Sequence, residues 1–171
     1  GRQRVSDSAS QQGNDSTTRL FDYSTIHTIF FGGGTPSLLT APQFDSILQA
    51  LRSAFALTAD AEISIEANPG TLNLQKLKDL RKTGINRISL GVQSANTEEL
   101  RMLERIHDFF TVIESVSNAR KAGFDNLNLD LIYGLPEHPL ASWQNTVKLI
   151  LALHPALLSS NAQTLEHATP I

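Results

Sequence analysis

Three segments of the chain alternate between apolar and polar residues, and this pattern constrains the fold more than any other feature. A side-chain period of two is typical of a β-strand with one buried face and one polar face. Parallel strands covered by helices on both sides are instead apolar almost throughout. The pattern therefore predicts strands that pack on helices with one face only. The apolar sets are Ile63, Ile65 and Ala67; Ile88, Leu90 and Val92; and Leu127, Leu129 and Leu131.

Segments with helical spacing separate these strands. Thr40 with Gln43, Asn73, and Asn96 with Glu99 are the helix-start residues, and helices are also predicted over 111–122 and 142–153. Strands that alternate with helices favour an α/β fold with parallel strands and crossover helices. Five strands are expected, at 26–31, 62–66, 87–92, 126–131 and 157–165.

The polar strand faces allow two architectures. One is an open sheet with a face exposed to water, and the other is a partial (βα) barrel whose lumen holds a ligand. Ordinary (βα) barrels fill the lumen with Val, Ile and Leu. We favour the partial barrel because a polar lumen is itself an indication of function.

Composition sets limits on the function. The 171 residues indicate one domain over 20–171, and the Ser- and Gln-rich residues 1–19 are predicted to be a disordered linker or insertion. A net charge of −3 gives no basic field for nucleic acid, and no apolar run reaches the roughly 18 residues of a membrane span. The absence of Cys excludes disulfides and a Cys-held iron–sulfur cluster within this chain, and we expect no metal site.

Two turns that follow strands contain candidate ligand-binding residues. Gly33, Gly34 and Thr35 belong to the run GGGTP after the first strand, where glycines let the backbone approach a ligand closely. A tight strand-to-helix turn explains this run equally well. Glu66 ends the second strand, where functional side chains of barrels lie. Turn chemistry accounts for Asn-Pro-Gly at 68–70 but leaves Glu66 unexplained.

Three further side chains are expected at the same rim. Gln93 and Asp130 lie at the same end of their strands on the polar face, and Arg105 follows a short helix. The alternatives are a structural ion pair between Asp130 and Arg87, and a solvated surface position for Arg105. Taken together, the glycine loop, two carboxylates, an amide and a guanidinium suit a small zwitterionic ligand that carries a ribose.

Several ordered segments of the chain resemble the radical-SAM superfamily, in particular its coproporphyrinogen III oxidase-like branch. The resemblance spans residues 26–170. It implies a partial six-stranded (βα) barrel that binds S-adenosylmethionine (SAM) beside a 4Fe–4S cluster. The matching segments are FGGGTPSLL at 31–39, EANPGT at 66–71, GINRISLGVQS at 84–94, RIH at 105–107, NLDLIYGLP at 128–136 and, more loosely, TLE at 164–166 with TP at 169–170.

The resemblance also implies roles for the rim residues. The backbone at Gly33, Gly34 and Thr35 matches the motif that receives the methionine amino group, and Glu66 matches a residue beside the methionine moiety. Arg105 matches the partner of the methionine carboxylate. Gln93 and Asp130 match groups near the ribose hydroxyls.

The sequence departs from the family pattern in its cysteines. Members hold the cluster with a C-x3-C-x2-C loop after the first barrel strand, and this chain has no Cys. We therefore expect the first strand and the cluster loop to be missing and the cluster to belong to a longer parent protein. Asn161 is a second departure, since relatives usually have an aromatic residue there.

Within the branch, GVQS, RIH and TLE with TP are more similar to HemW-type haem chaperones than to oxygen-independent coproporphyrinogen oxidases. The resemblance implies a SAM-binding core whose parent binds haem, and which is inactive alone. The alternative is radical decarboxylation of a porphyrinogen, so enzymatic activity remains open. A cytoplasmic location is expected, or a mitochondrial one in a eukaryote.

Overall fold

The computed structural model describes residues 25–136 and 138–163, which form five strands separated by five α-helices, two of them between the third and fourth strands. The predicted linker at 1–19 and the TLE and TP segments lie outside these residues. The strands are β1 (Thr25–Phe31), β2 (Ala56–Ala67), β3 (Arg87–Gln93), β4 (Asn126–Tyr133) and β5 (Leu157–Ala162). The helices are α1 (Ala41–Ala54), α2 (Leu74–Thr83), α3 (Thr97–Met102), α4 (Phe109–Lys121) and α5 (Leu140–Leu151), and a short 3-10 helix spans Pro36–Leu38.

All five strands lie parallel in one sheet, in the order β1-β2-β3-β4-β5. Each strand pairs with the next strand in the sequence, so every connection is a crossover. The sheet curls into a half-barrel with helices outside, which confirms the predicted α/β partial barrel.

The two strand faces differ as predicted. The nine apolar residues of the alternating segments are all buried, in one cluster with residues such as Phe44 and Leu77 of the helices. On the opposite face Ser64, Ser89 and Asn128 are buried polar residues. Asn128 Nδ2 donates to Ser89 Oγ at 2.8 Å, which gives each of these buried groups a hydrogen-bond partner. The lumen side is therefore polar and internally hydrogen-bonded.

The predicted helix starts are confirmed. Thr40 N donates to Gln43 Oε1 at 2.8 Å, and Asn73 Oδ1 accepts from Lys76 N at 2.8 Å. Asn96 Oδ1 accepts from Glu98 N at 2.8 Å. These contacts satisfy first-turn N–H groups that have no partner within the helix.

Several boundaries differ from the prediction for local reasons. β2 begins at Ala56 rather than at residue 62, because its first residues pair with Thr25 and Ile26 before a register shift in β1. α4 begins at Phe109 rather than Thr111, because Asp108 is the N-cap and its Oδ1 accepts from Thr111 N at 2.8 Å. α5 likewise begins and ends two residues earlier than predicted.

None of the helices in the described ranges is long and apolar enough to cross a membrane.

Candidate functional site

A polar cleft of about 240 Å³ lies at the C-terminal ends of β2, β3 and β4. Six of the seven predicted site residues line it, and the seventh, Gly33, contacts one of those six. The predicted residues in the lining are Gly34, Thr35, Glu66, Gln93, Arg105 and Asp130.

The glycine loop is shaped around Glu66. Gly33 and Gly34 have φ values of +80° and +55°, a region that favours glycine, and Gly33 N donates to Glu66 Oε2 at 3.2 Å. A Cβ at Gly32 would lie 3.1 Å from the same carboxylate oxygen and 2.4 Å from the Phe30 ring. The loop is thus a tight turn, and it also forms one wall of the cleft.

The segment after Glu66 is a turn, as its sequence indicates. Thr71 N donates to Asn68 O at 3.2 Å, and Gly70 has a φ of +79°. Gly70 N also donates to Ser115 Oγ on α4 at 2.9 Å, which fixes the turn on the helix layer. The side chain of Asn68 nevertheless lines the cleft, so turn chemistry is only part of its role.

Gln93 occupies a strained backbone position at the end of β3. Its φ is +69°, and Ser94 N donates to Val92 O at 2.9 Å across it, which is the pattern of a γ-turn with a positive central φ. Val92 O also lies 3.0 Å from Nε2 of the buried His107. The pKa of His107 is lowered, chiefly because burial disfavours the charged ring. His107 is therefore a structural residue that holds this turn.

Asp130 is held by neighbours on the lumen face. Its carboxylate accepts from Ser89 Oγ at 2.5 Å and from Asn128 Nδ2 at 2.7 Å. Arg87 instead donates to Ser64 Oγ at 3.2 Å, and its Nε lies 3.8 Å from Glu62 Oε1. The ion pair between Asp130 and Arg87 is thus not formed, and Asp130 has no cationic partner among residues 25–136 and 138–163.

Arg105 enters the cleft from the end of α3. Glu104, with a φ of +53°, closes the helix, and Arg105 N donates to Leu100 O at 2.8 Å while Glu104 N donates to Arg101 O at 3.0 Å. These two bonds are those of a Schellman motif. Arg105 Nη1 lies 3.5 Å from Asn68 Oδ1, and its buried Nε has no hydrogen-bond partner in the described part of the chain. Arg105 is therefore half-buried beside the cleft and is not a fully solvated surface residue.

Sequence reasoning missed five residues of the lining. Ser89 and Gly91 stand on the polar face of β3, so the alternation that revealed Gln93 could have revealed them as well. For Asn68, the Asn-Pro-Gly sequence predicts a turn and gives no sign of a second role in the cleft. The missed residues are Pro36, Ala67, Asn68, Ser89 and Gly91.

The cleft continues into the half-barrel. A wider lumen of about 450 Å³ shares Glu66, Ser89, Gln93 and Asp130 with the cleft and is lined mainly by polar side chains. Asn161 lies in this lining on β5, and the exposed ring of Phe30 lies in it on β1. A ligand in the cleft would therefore be open to a second molecule in the lumen.

The chain matches one protein family and curated relatives of two kinds. Residues 17–150 match the model of the Radical SAM superfamily. The heme chaperone HemW of Escherichia coli (strain K12) is 41% identical over 144 residues, which is 84% of this chain and 38% of HemW. The oxygen-independent coproporphyrinogen III oxidase of the same strain is 40% identical over 140 residues, 82% of this chain and 31% of the oxidase. The chain thus spans about a third of the length of these relatives.

Solved structures show the same architecture. Coproporphyrinogen III oxidase (HemN) from Escherichia coli, described as a radical SAM enzyme, superposes with a TM-score of 0.74 at 38% identity, over 82% of this chain and 32% of HemN. Methylornithine synthase superposes with a TM-score of 0.67 at 16% identity, over 84% of this chain and 41% of the synthase, which is a likeness of fold alone. With the family match and these identities, the chain belongs to the radical SAM superfamily.

Proposed function

We propose that the cleft binds SAM and that the chain is the SAM-binding core of a HemW-like haem chaperone. The observation that carries the proposal is the half-buried Arg105 at the cleft, whose buried Nε has no partner among the described residues. A buried donor without a partner is costly, and a carboxylate is its strongest natural acceptor. SAM carries such a carboxylate, so the residues present fit this ligand.

The other groups of the cleft complement the remaining parts of SAM. Glu66 and the glycine loop would receive the methionine ammonium group, because a carboxylate and backbone carbonyls accept its hydrogen bonds. Gln93 and Asp130 would bind the ribose hydroxyls. Ser89 and Asn128 hold the Asp130 carboxylate in place for this task.

A 4Fe–4S cluster does not fit this chain, because such clusters are held by Cys thiolates and the chain has no Cys. SAM binding by these residues therefore relies on hydrogen bonds alone. Much of their free energy is offset by immobilising the ligand, and we expect a Kd on the order of millimolar. In a parent protein that supplies the cluster, binding would be tighter.

The HemW-like proposal rests on the 41% identity to HemW, and the 40% identity to the oxidase favours a second candidate. The first predicts a parent protein in the cytoplasm that binds haem. The second predicts an enzyme that decarboxylates a porphyrinogen. Haem titration and a porphyrinogen decarboxylation assay, both on the parent protein, separate the two.

Substitutions at the rim test SAM binding directly. We expect Arg105→Ala and Asp130→Ala each to weaken SAM binding by about tenfold or more, because each removes a charge-assisted contact. Asn73→Ala, which removes only the α2 cap, should lower stability by about 1 kcal/mol and leave the Kd unchanged. Calorimetry on a parent protein or ligand-observed NMR on this chain measures the Kd. Wild-type affinity in both rim variants would refute the proposed site.

A further inference from the structure

Glu99 is the only buried carboxylate among residues 25–136 and 138–163, with 4% of its surface exposed. It lies on α3 and does not line the SAM cleft. An ionisable group in the interior needs specific partners to offset its desolvation. The position of Glu99 therefore requires an explanation beyond packing.

Two hydroxyl groups and one imidazole surround this carboxylate. Oε2 accepts from Ser94 Oγ at 2.5 Å, Oε1 accepts from Ser142 Oγ at 2.5 Å, and His138 Nδ1 lies 3.0 Å from Oε1. Thr146 Oγ1 on α5 accepts from the N–H of residue 95 and lies 3.3 Å from Ser94 Oγ. The network thus joins α3 to α5 and to the loop that precedes α5.

Arg105 follows the same helix, three residues beyond its last residue Met102. α3 has only six residues, so its own hydrogen bonds hold it weakly in place. Leu103 N donates to Glu99 O at 3.0 Å, and Arg105 N donates to Leu100 O at 2.8 Å, next to Glu99 in the chain. A rotation or slide of α3 would therefore move the Arg105 guanidinium.

We propose that Glu99 is a positioning residue that fixes α3 and so aims Arg105 at the carboxylate of SAM. This inference rests on the proposed function. Each oxygen of Glu99 accepts from a hydroxyl group, and Oε1 also contacts His138 Nδ1. Glu99→Gln keeps the size of the side chain but replaces one acceptor oxygen by an NH₂ donor, so at least one of these contacts must be lost or reversed.

The test compares SAM with decarboxylated SAM, which lacks the group that Arg105 is proposed to bind. Titrations of this chain followed by ¹H–¹⁵N NMR give the Kd of both ligands for the wild type, Arg105→Ala and Glu99→Gln. The matched control is Glu98→Gln, because Glu98 is the neighbouring residue on α3 and its side chain is 70% exposed, where it pairs with Arg101.

We expect the wild type and Glu98→Gln to prefer SAM, and Arg105→Ala to abolish that preference. Glu99→Gln should reduce the preference by about threefold to tenfold while the Kd of decarboxylated SAM stays within about twofold, because only the carboxylate contact depends on the aim of Arg105. If Glu99→Gln prevents folding, Ser142→Ala removes one donor of the network and should shift the preference in the same direction by less.

The other outcomes overturn the inference in distinguishable ways. Equal weakening of both ligands by the Glu99 variant would make Glu99 a general structural residue, and an unchanged preference would show that Glu99 has no role in positioning. A preference that survives Arg105→Ala, or a wild type that does not bind SAM, would refute the proposed function itself and the inference with it.

Discussion

At the scale of single residues, the side chain of Gln93 occupies space that is left free by Gly91, two residues earlier in the chain. A Cβ at Gly91 would lie 2.9 Å from Gln93 Nε2 and 3.3 Å from Asn68 Oδ1. Both side chains line the cleft. Glycine at this position therefore provides space for two polar groups of the site, since the φ of Gly91 itself is not in the positive region.

Gly91→Ala should displace the Gln93 amide from the cleft. We expect SAM affinity to fall by about fivefold, the effect of one lost hydrogen bond, in NMR titrations of the chain. Gly123→Ala is the control. Its φ of +90° makes the substitution strained, but a Cβ there would contact nothing within 4 Å, so stability should fall and SAM binding should not. Unchanged affinity of the Gly91 variant would show that the Gln93 amide does not contribute to binding.

At the scale of elements, His107 joins the α3–α4 connection to the end of β3 through its contact with Val92 O. Burial lowers the pKa of this imidazole below its ordinary value of about 6.5. The unfolded chain therefore binds a proton at a higher pH than the folded chain does. Stability is fully present above about pH 6.5 and decreases as the pH falls below that value, towards the lower folded pKa.

Urea unfolding between pH 7.5 and 5.5 should show this decrease. His107→Gln should flatten the pH dependence over that interval, whereas His27→Gln, at an exposed position of β1, should preserve it. The pKa of Asp108 is also lowered, chiefly by the hydrogen bond from the Thr111 side chain. Protonation of Asp108 affects stability only at a more acidic pH, below about 3.8. If the pH dependence of stability persists in the His107 variant, groups other than His107 cause it.

The elements also show what the sequence could and could not predict. The faces of β2, β3 and β4 were predictable because a period of two records burial directly, and the caps at Asn73 and Asn96 were predictable from local chemistry. The first residues of β2 were not predictable from the sequence, because they join the strand by pairing with Thr25 and Ile26 at the start of β1. The position of Arg105 at the cleft depends on the path of the chain after α3, which no local pattern reveals. The family resemblance, and not periodicity, implies its role.

At the scale of the whole molecule, stability depends on the apolar cluster that the described residues form between the sheet and the helices. Leu129 lies in the middle of β4 and is 0% exposed. Leu129→Ala should lower the free energy of unfolding by about 2–5 kcal/mol, because it removes buried apolar contacts and leaves a cavity. Leu140→Ala, at a 69% exposed position of α5, should change it by no more than about 0.5 kcal/mol. If urea unfolding showed similar losses of unfolding free energy in both variants, this account would be contradicted.

Because every strand pairs with its sequence neighbour, the sheet is built like a stack of repeated βα units. Contacts within such a stack are mostly between adjacent units, as they are in repeat proteins, where the free energy of folding is approximately a sum over units and their interfaces. Folding of this chain can therefore proceed by adding one unit to the next, although each step closes a long crossover, such as the one between the paired residues Arg87 and Asn126. The residues of the cleft come from four successive units, so the ligand-binding site is completed only when the growing stack has reached β4.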